Sequence, residues 1–417
     1  MRTQRQDDPE DVVAVRERNT RTKNSSEPVP FDLTFEIFSR LPAKSVARFH
    51  CLSKKWASTL RLTYFTDLFF TRSSARPQLL FACHKDRHVF FFSSSQPHIF
   101  HHEQQHSSLL AAKYQMKISN PFFSSEGFIS TRGLVFLRDV RNISFLRGTK
   151  HQAPVICKPS TGQYLTLPKV KTRRRIGVNS YFGYDPVENQ YKVLSMTWLV
   201  YGQVDYCGEH QLLTFGTTGE PSWKKIQCHL FYSLRSLYNQ ICINGVLYYP
   251  AINRSSQDYI IVCFDVRSEK FSFVREKSGT FGSERLINYN GKLGSLESQC
   301  FGGSCTSINL KVLEDAEKHE WSEHTYVLPA LWKNLVGDTT ARFVGVTRTN
   351  EIVLSSYYQY PHAPFYVFYY NTERNTITRF VIQGFEAFKG CYFHTFLDHV
   401  EDLNMKLVIH ILKDAFI

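Results

Sequence analysis

From about residue 77 onward the chain repeats one arrangement. A glycine sits beside an apolar strand; a second apolar strand then runs into Asp, Asn or Pro, and a polar turn leads to another strand. The pattern is plain in RGLVFL with APVICKPSTGQYLTLP (132–168), in INGVLYYPA with YIIVCFDVRSEKFSFV (243–274), and in RTNEIVLSS with FYVFYYNTERNTITRFVI (348–382). FGYDPVENQYKVLSM, from Phe182, reads as a further second half, and NYNGKLGSL, from Asn288, as a further first half. PQLLFACHKDRHVFFFSS, from Pro77, reads as strand, polar turn, strand. Each unit is a small antiparallel sheet with two apolar faces, and alone it cannot bury both. Stacking such sheets around an axis solves that problem and hides their edges. Whole units recur at roughly 40 to 50 residues, the period of propeller blades, so a β-propeller is the expected architecture, with a β-sandwich as the alternative.

The preceding 40 or so residues obey a different period. In VPFDLTFEIFSRLP, Pro30 and Asp32 mark a helix start, and Leu33, Ile37, Phe38 and Leu41 fall on one helical face. Pro42 stops that helix, because proline lacks an amide donor and disfavours helix just before itself. AKSVARFHCLS repeats the pattern with Val46, Phe49 and Leu52, and Ser53 can cap the next helix. In KKWASTLRLTYFTDLFF, Trp56, Leu60 and Tyr64 are four apart, which predicts a third short amphipathic helix. Residues 1–27 mix both charge signs with few apolar side chains and are expected to form a flexible arm.

Bulk properties narrow the class. The 417 residues suffice for a substantial core, and 15% aromatics favour strands, where flat rings fit a pleated surface. A formal net charge of +13 suits an acidic partner, whether protein, RNA or membrane surface, without choosing among them. No apolar run reaches the roughly 18–20 residues of a membrane-spanning helix, and the N-terminus lacks the apolar core of a secretory signal. Ten cysteines are scattered without a CxxC pair, and several lie in strand-like runs such as IIVCFDV. This points to a reducing compartment, cytoplasmic and/or nuclear, with no disulfide framework.

At residues 30–61, PFDLTFEIFSRLPAKSVARFHCLSKKWASTL resembles the plant F-box pattern P-x-D-L-x-x-E-I-x-x-R-L-P-x-K-S-x-x-R-F-x-x-x-S-K-x-W at nearly every informative position. Further on, GYDPVENQYKVLSM, CINGVLYYPA, CFDVRSEKF and INLKVLEDAEKHEW resemble the F-box-associated (type 3-like) domain that comes after it in one large plant group. The resemblance implies a three-helix F-box at 28–72 and a β-rich, kelch-like, substrate-binding domain at 73–417. It further implies docking on the Skp1-type adaptor of a cullin-based ubiquitin ligase, with the β-domain holding an unknown protein substrate and no catalytic group or cofactor. Carried over position by position, Pro30, Leu33, Ile37, Leu41, Pro42, Val46, Phe49, Leu52 and Trp56 are expected to build or present the adaptor-facing surface. Some of them, Phe49 and Trp56 above all, equally suit the internal core of the helices. Phe38 stands where the pattern more often has leucine, and Phe31 and Phe35 are also bulkier than usual. Lys44, Arg48, Lys54 and Lys55 suit either acidic groups on the adaptor or plain solvent.

Three motifs point elsewhere. HEQQH (102–106) matches the zinc-protease spacing, with Glu103 as base, but lacks an amphipathic helix and an HxxGxxH continuation, and Glu126, at a plausible distance for a third ligand, falls in a Phe- and Ser-rich stretch that reads as strand or loop. Cys300, Cys305, His319 and His324 are in zinc-finger order, yet the segment reads as strand, charged turn, strand. KVKTRRR (169–175) could hold nucleic-acid phosphates, but without a nucleic-acid fold motif it reads as a solvated loop.

Overall fold

The computed structural model describes residues 30–50, 52–97, 108–119, 127–138, 153–170, 177–201, 204–215, 221–236, 239–276, 284–298 and 305–403. The arm at 1–27, HEQQH, and Arg173–Arg175 lie outside the described residues. Four helices come first: α1 (Phe31–Phe38), α2 (Ala43–His50), α3 (Lys54–Thr59) and α4 (Thr63–Ser74). The third expected helix is therefore two. Leu62 is extended at φ −60°, ψ 133°, which breaks the ladder between α3 and α4. Leu60 consequently turns inward at 3% exposure, while Tyr64 points out at 67%.

Among the described residues, 26 strands build six sheets. The first contains β1 (Gln78–Lys85), β2 (His88–Ser95) and β4 (Lys113–Ser119), while β3 (Ser108–Ala111) departs to another sheet. The second is β5 (Phe128–Thr131), β6 (Leu134–Leu137), β7 (Val155–Lys158) and β8 (Gln163–Thr166). The third is β9 (Gly177–Asp185), β10 (Gln190–Tyr201), β11 (Val204–Phe215) and β12 (Lys224–Ile226). The fourth is β13 (Tyr232–Leu234), β14 (Ile241–Ile243), β15 (Val246–Asn253), β16 (Tyr259–Asp265) and β17 (Phe271–Arg275). The fifth is β18 (Arg285–Tyr289), β19 (Lys292–Ser298), β20 (Ser307–Asp315) and β21 (Glu320–Val327). Helix α5 (Leu331–Val336) then leads to β22 (Ala341–Val346), β23 (Glu351–Ser356), β24 (Phe365–Asn371) and β25 (Thr376–Gln383). Finally, β26 (Phe393–His399) returns to pair with β1 and complete the first sheet.

The strands β26, β5, β9, β14, β18 and β22 neighbour one another in a ring, so the six sheets are the blades of a six-bladed β-propeller. Each pair of adjacent blades encloses its own apolar core. Side-chain alternation explains how one strand serves two cores. In β1, Leu79, Phe81 and Cys83 face the β22–β25 blade, while Leu80 and Ala82 face the β5–β8 blade. Both faces are buried, so such strands read as continuous apolar runs rather than alternating ones. Ring closure uses two cross-links. β26 pairs antiparallel with β1, and β3 adds to the last blade by pairing in parallel with β25.

The acidic turn signature has a local cause. The Asp265, Asp315 and Asn371 side-chain oxygens each accept a backbone N–H two or three residues on, bridging β16–β17, β20–β21 and β24–β25. Asp185 does the same for Val187 at 2.9 Å, but there the turn joins β9 to β10. FGYDPVENQYKVLSM is thus the first hairpin of its blade and not, as its sequence suggests, a second half; the turn chemistry is blind to position in the sheet.

One glycine has no substitute. At Gly133, φ is +74° and a Cβ would lie 2.4 Å from the Val400 carbonyl oxygen, in the segment leaving β26. Gly133→Ala should destabilise the chain by about 2–4 kcal/mol through strain and displaced backbone, read as a lowered thermal midpoint. An unchanged midpoint would contradict this close approach.

Buried titratable groups set a pH optimum for stability. Burial pushes His210 down to about 4, His399 to about 4 and His394 to about 3. The unfolded chain therefore binds more protons below about pH 6.5, and stability should fall on acidification at up to about 1.4 kcal/mol per pH unit for each histidine. Glu284 acts oppositely. Burial and then the Glu276 carboxylate push it up, despite Arg235 at 3.6 Å and nearby Lys311, so its native form holds a proton that the unfolded chain releases. That loss runs from about pH 4.5 to about pH 8 and then levels off, so once the histidine effect saturates near pH 6.5 stability should decline to about pH 8, and urea midpoints should peak near pH 6.5–7. Midpoints that stay flat from pH 4.5 to 6.5 would contradict the histidine burial.

Candidate functional site

The helical module has its own core of Phe35, Phe38, Ala43, Val46, Leu60, Phe65 and Phe69. Phe38 is its hub, 4.7 Å from the Phe49 ring and 5.0 Å, edge-on, from Trp56. Leu41, Phe49 and Trp56 are half-buried against this core, and Val46 is only 2% exposed. Val46 therefore builds the module and cannot present a surface; its interval from Phe49 is the inner face of α2. Ser53 caps α3, its hydroxyl accepting the Trp56 N–H at 3.2 Å.

Other apolar side chains stay outside. Leu33 and Ile37 are each 55% exposed, and Leu52 is 68% exposed; Pro30 and Pro42 are exposed as well. Pro30, Leu33 and Ile37 succeed one another at helical spacing, so the outer face of α1 is an apolar stripe. Lys44, Arg48, Lys54 and Lys55 are exposed beside it in sequence. A flank of α1 is tied to α4. Glu36 pairs with Arg72 and Arg40, and Arg72 also donates to the Ser39 hydroxyl at 2.7 Å. These guanidinium groups hold the Glu36 carboxyl below its usual range.

The module is joined to the propeller by residues that no helical pattern marks. Leu403 enters the helical core, and a Glu401 carboxylate oxygen accepts the Ala43 N–H at 3.0 Å, capping α2 from outside. Burial pushes the Glu401 carboxyl up, opposed by that same hydrogen bond. The Arg132 guanidinium lies between the Phe70 ring (4.1 Å) and the Tyr184 ring (4.6 Å), and Arg348 donates to the Ser74 carbonyl at 3.3 Å. Arg132, Arg348 and Glu401 come just after the ends of β5, β22 and β26, so the helices sit over the mouth of the ring where the inner strands finish. The face where those strands begin lies at the other end of the axis.

Of the zinc-finger-like order, three residues are described. Cys300 lies outside the described residues; Cys305 is buried, His319 sits in the β20–β21 turn at φ 57°, and His324 is exposed on β21. Among the described residues, no group of three or more His, Cys, Asp or Glu could hold a metal ion. None of the eight described cysteines is in a disulfide.

The molecule thus has two parts, a four-helix module with an exposed apolar stripe and a six-bladed propeller on one mouth of which it sits. Family models match both parts: the F-box domain over residues 29–68 and the F-box associated beta propeller domain over residues 78–400. The chain belongs to the F-box proteins that carry an F-box associated β-propeller domain. F-box protein DOR of Arabidopsis thaliana is 52% identical over 382 residues, covering 91% of this chain and 94% of that protein. A second F-box protein of the same plant is 47% identical over 418 residues, covering 97% of this chain and 99% of its own.

Proposed function

We propose that this chain is the substrate-recognition subunit of a Skp1–cullin–F-box ubiquitin ligase, in which the helical module docks on the Skp1-type adaptor and the propeller holds the protein to be ubiquitinated. The observation that carries this reading is the outward apolar stripe of Pro30, Leu33 and Ile37 on a helix whose other face is already packed. Apolar side chains aligned on an otherwise satisfied module mark a protein interface. Leu52 and Pro42 extend the proposed surface, the half-buried Leu41, Phe49 and Trp56 hold it in shape, and the exposed lysines and Arg48 favour an acidic partner. The chain supplies no catalytic group in this scheme. It raises the effective concentration of a substrate lysine near a ubiquitin-charged enzyme bound elsewhere on the cullin. The described cysteines, none in a disulfide, suit a reducing cytoplasmic or nuclear setting.

The test is co-purification of the full chain with a Skp1-type adaptor. A stoichiometric complex on size exclusion is expected; separate elution of two folded proteins would reject the reading.

A further inference from the structure

At the end of the axis away from the helices, the inner strands line a half-open cavity of about 120 Å³. Arg285 is the first residue of β18, Arg342 the second of β22, His394 the second of β26, and Phe128 the first of β5; all four line it. Ser355, Ser356 and Thr395 add hydroxyl groups, and no Asp or Glu is among the described lining residues. Arg138, 2% exposed, lies close enough to add its charge at His394.

These groups are held in place. The Arg342 guanidinium sits 3.4 Å from the centre of the Tyr357 ring, which in turn meets the His394 imidazole edge-on at 5.8 Å. Phe128 flanks His394 at 5.1 Å, and the Ser355 and Thr395 hydroxyls bond at 2.7 Å. The Nε2 of His394 is buried without a hydrogen-bond partner. Burial and then the neighbouring Arg342 charge lower the pKa of Arg285, so the two cations lie near enough to oppose one another. Fixed like charges gathered in a concave site attract an anion, because its arrival relieves their repulsion. The chamber has room for a tetrahedral or planar oxyanion beside the two arginines.

We infer that this chamber binds a single oxyanion, a carboxylate or phosphate group, presented at the propeller face opposite the F-box. The inference rests on the substrate-receptor reading only for the carrier of that group. An acidic or phosphorylated side chain of the substrate and a free small anion are the two sources, and they share the chemistry.

The test uses the full chain and never the adaptor, so its outcome is independent of the adaptor-capture test. Inorganic phosphate should raise the thermal midpoint by about 2 °C or more over chloride at matched ionic strength, with acetate giving a smaller rise. The Arg285→Gln/Arg342→Gln double variant should lose that rise. A fluorescent glycine peptide carrying one phosphoserine should bind the wild type about tenfold or more tighter than phosphate itself if the source is a protein, and no tighter if it is a free anion. No advantage of phosphate or acetate over chloride, or a double variant that keeps the wild-type shift, would overturn the site. Should the double variant fail to fold, phenylglyoxal labelling of the wild type decides. Phosphate should shield Arg285 and Arg342 from modification where chloride does not, and equal labelling in both would reject the proposal.

Discussion

Replacing both Leu33 and Ile37 with aspartate should abolish capture of a Skp1-type adaptor while leaving the chain folded. Both side chains are 55% exposed, so the substitution removes little packing and the thermal midpoint should stay within about 2 °C of the wild type. In the proposed complex the same positions are covered. Losing two apolar anchors forfeits about 1.5–3 kcal/mol each, and desolvating two carboxylates without partners adds further cost. At about 1.4 kcal/mol per factor of ten, binding should weaken by at least about 100-fold. Titration calorimetry reads this directly; wild-type affinity in the folded double variant would place the interface elsewhere. The obvious alternative, Leu41→Asp with Pro42→Ala, is less informative. Leu41 packs against the helical core, so lost binding could reflect a damaged module.

Removing β26 and everything after it, by ending the chain at Tyr392, should eliminate the cooperative unfolding transition. β26 is the inner strand of the first blade, paired along β1 and adjacent to both β5 and β22. Its loss strands the β1 edge, where each unpaired buried peptide group costs about 1–3 kcal/mol. It also withdraws Phe393, 1% exposed and 4.4 Å from the Phe385 ring, from the core between the first and last blades. Leu403 and the Glu401 cap leave the helical module with it. The expected product binds hydrophobic dyes and lacks near-ultraviolet dichroism; a sharp wild-type-like transition would show that the ring closes without this strand. Phe393→Ala is the graded version, expected to cost about 3–5 kcal/mol and leave a cooperative but lowered midpoint.

Much of the local architecture is legible in the residues themselves. Pro30 and Pro42 bound α1, Ser53 caps α3, and Asp265, Asp315 and Asn371 close the turns their positions suggest, because caps and turns are written within a few residues. His319 falls in a strand–turn–strand segment rather than on a finger helix, as its surroundings indicate. The break between α3 and α4 is not visible in the same way. The spacing of Trp56, Leu60 and Tyr64 fits one helix equally well, and the packing of Leu60 against Phe65 and its neighbours divides it.

The number of blades, the closing strand, the joint between the modules and the cationic chamber are equally hidden. Ala43 meets Glu401 across 358 positions, and Arg285, Arg342 and His394 converge only because three blades place the starts of their inner strands at one end of the axis. Periodicity reports which side of a strand is apolar, and it carries no record of which distant strand covers that side. Helices, hairpins and the exposed apolar stripe are encoded over a few residues by steric and hydrogen-bonding preferences. The ring, its closure and the grouping of its charges arise from contacts between segments tens to hundreds of residues apart, which form only when all six sheets pack together.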